Sequence, residues 1–393
     1  MGTERVTRSI RNIQRLLLVF PLLVLAGCAS LPVQAPVSAG DIAWVLAGAD
    51  MLPAQGSAVL EAPDSLLHVT EEMHQFARNA TRGRSSAAGM ANALTAAMGA
   101  ENGLHLQYDA DATLTAEQAF SQRRVNCLTY TLLFVALARD IGLRATFNEV
   151  DIPPVWDLGD DQTSLLYKHV NARIDVAGPL FLIVDVNGDD YDPNYAQRDI
   201  SDAEIEAQFY NNRAVELRLQ QHHDQALRYQ LRALELSPDT AYLWTNLASL
   251  YLLDGSLRAA RIAVTRSLTL DSYSMMGYET AASVYEQLGK STLAADFRER
   301  TQYFRDQNPY YHYQLALAAF SQHDESLAYR EARRAIQLYS RDSRFFFLQA
   351  VVLNQLGETR QANDSMQAAI GLTTNAAQQE RYRSKFARLS KHG

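Results

Sequence analysis

Alanine recurs in this chain with a period of 34 residues, in two registers at once. Ala214, Ala248, Ala282, Ala316 and Ala350 form the first register; Ala226, Ala260, Ala294, Ala328 and Ala362 form the second. Bulky residues stand at fixed offsets: Tyr210, Trp244, Tyr278 and Phe346 beside the first set, Leu236, Leu270, Phe304 and Leu338 beside the second. Few folds accept such a pattern. Two helices cross closely only where a side chain is a methyl group, and large knobs then fill the space beside the crossing. Gly255, Gly289 and Gly357 fall between the registers, where a helix ends most cheaply in a left-handed residue; Gln221 and His323 hold that place in the other two units. The spacing predicts five helix pairs over 207–376 in an all-α solenoid. Tyr382, Phe386 and Leu389, at helical spacing in 377–393, predict a helix that caps the last apolar face.

This pattern resembles the tetratricopeptide repeat (TPR). Departures are modest: Ser267 and Thr301 replace a later small residue, and only Pro238 matches the usual closing proline. The resemblance implies a superhelix whose concave face binds a protein or peptide, with no chemistry of its own. Arg228, Tyr229, Arg261 and Arg298 are available as contacts, and nothing in the sequence singles one out.

The amino terminus reads as an address. Arg5, Arg8, Arg11 and Arg15 precede the apolar run Leu16–Leu25, which is too short for the ~20 residues of a spanning helix and ends in Leu25-Ala26-Gly27-Cys28. This resembles the bacterial lipobox. It implies that residues 1–27 are a signal peptide and that Cys28 carries the lipid, and residue 29, which is not Asp, favours the outer membrane facing the periplasm. Residues 28–58 then tether the protein to that membrane. The sequence has two cysteines, so the mature chain would keep Cys127 as its single thiol, without a disulfide partner in an oxidising compartment.

A unit over 59–200 separates tether from repeats and has the length to bury one core. Asn126 stands before Cys127 and the apolar stretch Leu128–Ile141, which Gly142 closes, so Asn126 caps a helix and Cys127 lies in its first turn. A thiol placed there faces the positive end of the helix dipole, an arrangement that favours the nucleophilic thiolate. Short β-rich runs follow at 145–150, 168–176 and 180–186, the last two separated by Ala177-Gly178-Pro179. If Val176 pairs with Leu180, His169 lies opposite Asn187 and diagonal to Asp185, all on one face of the hairpin.

Asn126-Cys127-Leu-Thr-Tyr-Thr, Glu149-Val-Asp-Ile-Pro-Pro-Val-Trp156, Lys168-His169-Val-Asn and Ile183-Val-Asp185 together resemble the transglutaminase-like cysteine peptidase superfamily. The resemblance implies an α+β papain-like fold and amide-bond cleavage or transfer through a thioester, with no metal or other cofactor. Carried over, Cys127 is the nucleophile, His169 the general base and then acid, and Asp185 the group that fixes the histidine tautomer. Asn187 is a second candidate for that orienting role, and Asn126 is a further candidate for a place in the cleft or for orienting the imidazole. Trp156 shapes the cleft wall or belongs to the core. The Cys127 backbone N–H can donate to an oxyanion, with Gln118 and Gln122 as candidates for a second donor. Taken singly, Cys127 reads as a structural thiol, His169 as a strand histidine and Asp185 as a turn former; the spacing of the three makes the chemistry.

The chain carries 36 basic and 44 acidic residues for a net charge of −8, without the basic stripe that nucleic acid demands. Asp185–Asp192 lacks the glycine and glutamate of a calcium loop, and His222-His223-Asp224 falls in an interhelical turn. Two functions remain: a lipid-anchored cysteine peptidase or amidase that recruits its substrate through the repeats, or a non-catalytic scaffold of the cell envelope with a degenerate transglutaminase-like domain.

Overall fold

A computed structural model describes residues 37–52, 60–150, 168–186, 195–373 and 376–389. The signal peptide, Cys28, most of the tether, Trp156 and Asn187 lie outside them. Residues 37–393 form one compact unit. No described helix is long and apolar enough to cross a membrane.

The amino-terminal half opens with α1 (Ala39–Leu46), α2 (Glu71–Ala80) and α3 (Ala87–Gly99). After β1 (Gln107–Tyr108) come α4 (Ala116–Gln122), β2 (Arg124–Val125) and α5 (Cys127–Asp140). The two short strands pair in parallel. Four further strands follow: β3 (Ala145–Val150), β4 (His169–Ala177), β5 (Leu180–Val184) and β6 (Gln197–Ile200). They make an antiparallel sheet in the order β5-β4-β3-β6. Helix α5 lies against β3 and β4 and is buried along nearly its whole length, from Leu128 to Ala138. An all-round apolar helix of this kind belongs in the middle of a core, here with Phe134 and Phe147 fully enclosed.

The hairpin corrects one expectation. Leu180 pairs with Ala177 rather than Val176, and a bulge between Asp175 and Ala177 takes up the difference. Gly178, at φ +56°, makes the tight turn. Beyond the bulge the register is the expected one, with Ala172 opposite Val184 and Arg173 opposite Ile183.

Ten helices follow in pairs: α6 (Asp202–Leu219) with α7 (His223–Leu236), α8 (Ala241–Leu253) with α9 (Leu257–Leu270), α10 (Met275–Gln287) with α11 (Ser291–Gln307), α12 (Pro309–Ser321) with α13 (Glu325–Leu338), and α14 (Ser343–Gln355) with α15 (Thr359–Leu372). All ten register alanines are buried, the first set on the leading helix of each pair and the second on the trailing one. Tyr210, Trp244 and Tyr278 are almost fully enclosed beside them. Gly255, Gly289 and Gly357 adopt φ of +75°, +70° and +78° at the interhelical turns, and Gln221 and His323 adopt +63° and +59° in the same role. Helix α16 (Ala376–Leu389) closes the array: Tyr382 stacks on Phe347 at 4.5 Å and Phe386 packs on the same cluster.

Candidate functional site

Asn126 sets the start of α5. Its Oδ1 accepts the Thr129 N–H at 2.8 Å, and its Nδ2 donates to Thr113 Oγ1 at 3.0 Å. Both ends of this buried amide are therefore spent on capping and anchoring the helix, not on lining a cleft or orienting the imidazole. Cys127 is the first helical residue and is partly exposed. Its backbone N–H is one of the first-turn donors that no intrahelical carbonyl reaches. One turn on, the Thr131 hydroxyl lies 2.8 Å from the Cys127 carbonyl oxygen and 3.2 Å from that of Val170, which fixes the start of α5 against the strand that carries His169.

His169 opens β4, and Asp185 follows β5 directly. His169 Nε2 lies 2.7 Å from Asp185 Oδ2, and Cys127 is close enough to the ring to favour its charged form. With Nε2 engaged by the carboxylate, Nδ1 is the nitrogen left to face the sulfur. The His169 side chain is 13% exposed and that of Asp185 4%, so the pair is shielded from water while the thiol keeps access to it. Burial of the ring works against its charge, but the hydrogen bond to Asp185 and the nearby Cys127 prevail and push His169 up to about 10.

Behind Asp185 stands a row of amides that sequence reasoning missed. Asn171 Nδ2 donates to Asp185 Oδ2 at 3.1 Å, Asn148 Nδ2 donates to Asn171 Oδ1 at 2.9 Å, and Asn148 Nδ2 also lies 3.0 Å from Gln197 Oε1. Period-two alternation places Asn171 on the His169 face, and the β3–β4 register sets Asn148 directly opposite it. Those were the available signals. Tyr130, three residues after Cys127, is buried, which raises its hydroxyl to about 12; a hydrogen bond from Thr95 opposes this, and the Asp185 charge adds to it. Of the two suggested oxyanion donors, Gln118 accepts the Thr115 N–H at its Oε1 in a capping box at 3.0 Å, and Gln122 is exposed.

The repeats touch this site through its supports. Glu216 on α6 accepts the Thr113 N–H at 3.1 Å, and Thr113 in turn holds Asn126. Gln208 on the same helix donates to Glu149 at 2.6 Å. At the far end of the array, Tyr195 bonds Arg344 on α14 and packs edge-on against Tyr310 of α12. Of the array residues considered as contacts, Tyr229 donates to Glu61 at 2.6 Å and Arg298 pairs with Glu286. Among the described residues no cluster of three or more His, Cys, Asp or Glu is arranged to hold a metal.

The tetratricopeptide-repeat family model matches residues 207–240. Among solved structures the chain is similar to MamA from Desulfovibrio magneticus, at 14% identity over 42% of this chain and 94% of that one, with a TM-score of 0.25. It is similar to YrrB, described as a TPR protein with an unusual peptide-binding site, at 16% identity over 45% and 92%, with a TM-score of 0.24. It is also similar to pilF of Pseudomonas aeruginosa, at 13% identity over 49% and 87%, with a TM-score of 0.26. Among curated proteins none matches this chain. The family match falls on the first of the five helix pairs, so a tetratricopeptide repeat stands at 207–240, at the head of a ten-helix array built on the same 34-residue period.

Proposed function

We propose that this chain binds a protein partner through its repeat array and hydrolyses an amide bond of that partner at Cys127, as a transglutaminase-like cysteine peptidase or amidase of the bacterial envelope, held at the outer membrane by lipid on Cys28. The repeat match supports the binding role. The hydrolytic role rests on one observation, the 2.7 Å pairing of His169 Nε2 with Asp185 Oδ2 beside Cys127, which helps hold the ring in its charged form, at the junction of a capped helix and a hairpin.

Such an arrangement has a definite chemistry. Asp185 holds His169 as the imidazolium, and the thiolate of Cys127 attacks the amide carbonyl. The Cys127 N–H donates to the oxyanion that develops. His169 gives its proton to the leaving amine, a thioester forms, and water activated by the now neutral imidazole releases the acid and restores the thiol. Asn171 holds Asp185 in place through the cycle.

A second reading, the non-catalytic scaffold, is favoured by a specific observation: the family match falls in the repeats, and the amino-terminal half sits against α6, α12 and α14 as a structural partner of the array. The two readings part on Cys127→Ala. With a partner recovered by crosslinking, hydrolysis predicts that wild type shortens or deamidates it and that the variant does not. Unchanged processing by the variant contradicts hydrolysis, and a silent Cys127→Ser beside a damaging repeat substitution establishes the scaffold.

A further inference from the structure

A cavity of about 650 Å³ opens between α12, α14 and α16, within the range of ~300–1,000 Å³ typical of ligand sites. Its floor is apolar, with Leu317, Phe320, Phe347 and Val351, and Leu317 is 41% exposed. Its rim is cationic. Arg381, Lys385 and Arg388 follow one another at i, i+4 and i+7 along α16 and form one stripe over the opening, and Arg344 contributes from α14. Among the described residues no acidic side chain lines it. On a chain whose net charge is −8, this is a local reversal of sign.

Arg344 already has an anion to hold, being hydrogen-bonded to Asp342 as well as to the Tyr195 hydroxyl. The stripe on α16 has another orientation. Glu380 and Arg383 pair with each other on a different side of that helix, and Lys385 and Arg388 line the apolar hollow. A cation above an exposed leucine and two phenylalanines fits a ligand that brings negative charge and an apolar side chain together.

We propose that this pocket docks an acidic segment of a protein partner, seating an apolar side chain on Leu317, Phe320 and Phe347 and its carboxylates on Lys385 and Arg388. The proposal rests on the protein-binding reading of the array and is independent of whether Cys127 reacts. Charge complementarity selects the occupant, since acidic neighbours steer the segment to the rim while the buried side chain supplies dwell time.

The probe is a fluorescein-labelled hexapeptide of alternating glutamate and phenylalanine, followed by anisotropy on the full chain. Saturable binding is expected that weakens as salt rises. Lys385→Glu combined with Arg388→Glu reverses two exposed charges and is expected to lower affinity at least about tenfold with an unchanged melting temperature. Leu317→Ala is expected to weaken binding by removing part of the floor. Equal binding of an all-glutamate peptide, of a lysine–phenylalanine peptide, or by either variant overturns the pocket. So does a preference for phosphatidylglycerol vesicles over the peptide, which makes the stripe a lipid-headgroup site. A crosslinked partner that binds the charge-reversed chain as well as wild type removes the pocket and keeps the array. A partner unaffected by Ala248→Trp, which splits the second repeat, removes the array reading itself.

Discussion

At the scale of single residues, His169 governs what the site can do. Its raised value of about 10 has a definite sign in stability. The imidazolium gains its partners on folding, so its contribution is complete below the unfolded value of ~6.5 and is lost as pH rises through 10. Thermal melts of wild type should therefore fall between pH 7 and 10.5 more steeply than those of His169→Gln, and imidazole resonances should titrate near 10; a midpoint near 6.5 contradicts the pairing. Asn126→Ala removes a cap that serves both Thr129 and Thr113, and should cost about 1–2 kcal/mol by urea denaturation. The His169–Asp185 juxtaposition was legible because strand alternation and hairpin register are local rules. Asn148, Asn171 and Gln197 were not. An amide in a strand looks like any polar residue until non-local pairing brings three of them into one row.

Among the elements, the interhelical turns carry the most readable chemistry. Gln221 and His323 stand where three other units use glycine, and both take a positive φ, which costs a side-chain-bearing residue ~1 kcal/mol. Gln221→Gly and His323→Gly should each raise stability by about 0.5–1 kcal/mol, read as a shift in the denaturation midpoint, whereas Gly255→Ala should lower it by about 1 kcal/mol with no clash, because nothing stands within 4 Å of the added methyl. The period of the array was legible because small-on-large packing repeats at fixed spacing, although the first helix begins at Asp202, before the first repeat boundary read from the alanines. The hairpin was legible only in part: Ala177 and Leu180 pair across a bulge, and a bulge obeys the backbone geometry of its turn, with no signature in side-chain alternation.

At the scale of the whole molecule, residues 37–393 are one unit in which the array braces the amino-terminal half at both ends, through Glu216 near α5 and through Arg344 at Tyr195. The sequence read these as separate domains, since the residues that join them are scattered polar side chains with no period. Asp342 is 2% exposed at its side chain, and Arg344 neutralises it. Arg344→Ala leaves that carboxylate buried without its cation and removes one partner of Tyr195; with a third of the guanidinium in water, the cost should be about 1–3 kcal/mol by denaturation.

In the proposed function, His169 and Asp185 make Cys127 a nucleophile. The most direct measurement is the rate of iodoacetamide alkylation of Cys127 at pH 7, followed by mass spectrometry, in wild type, His169→Ala and Asp185→Asn. Both variants should react at least about tenfold more slowly than wild type while remaining folded. Equal rates in all three would make Cys127 an ordinary thiol and the amino-terminal half a structural companion of the repeats.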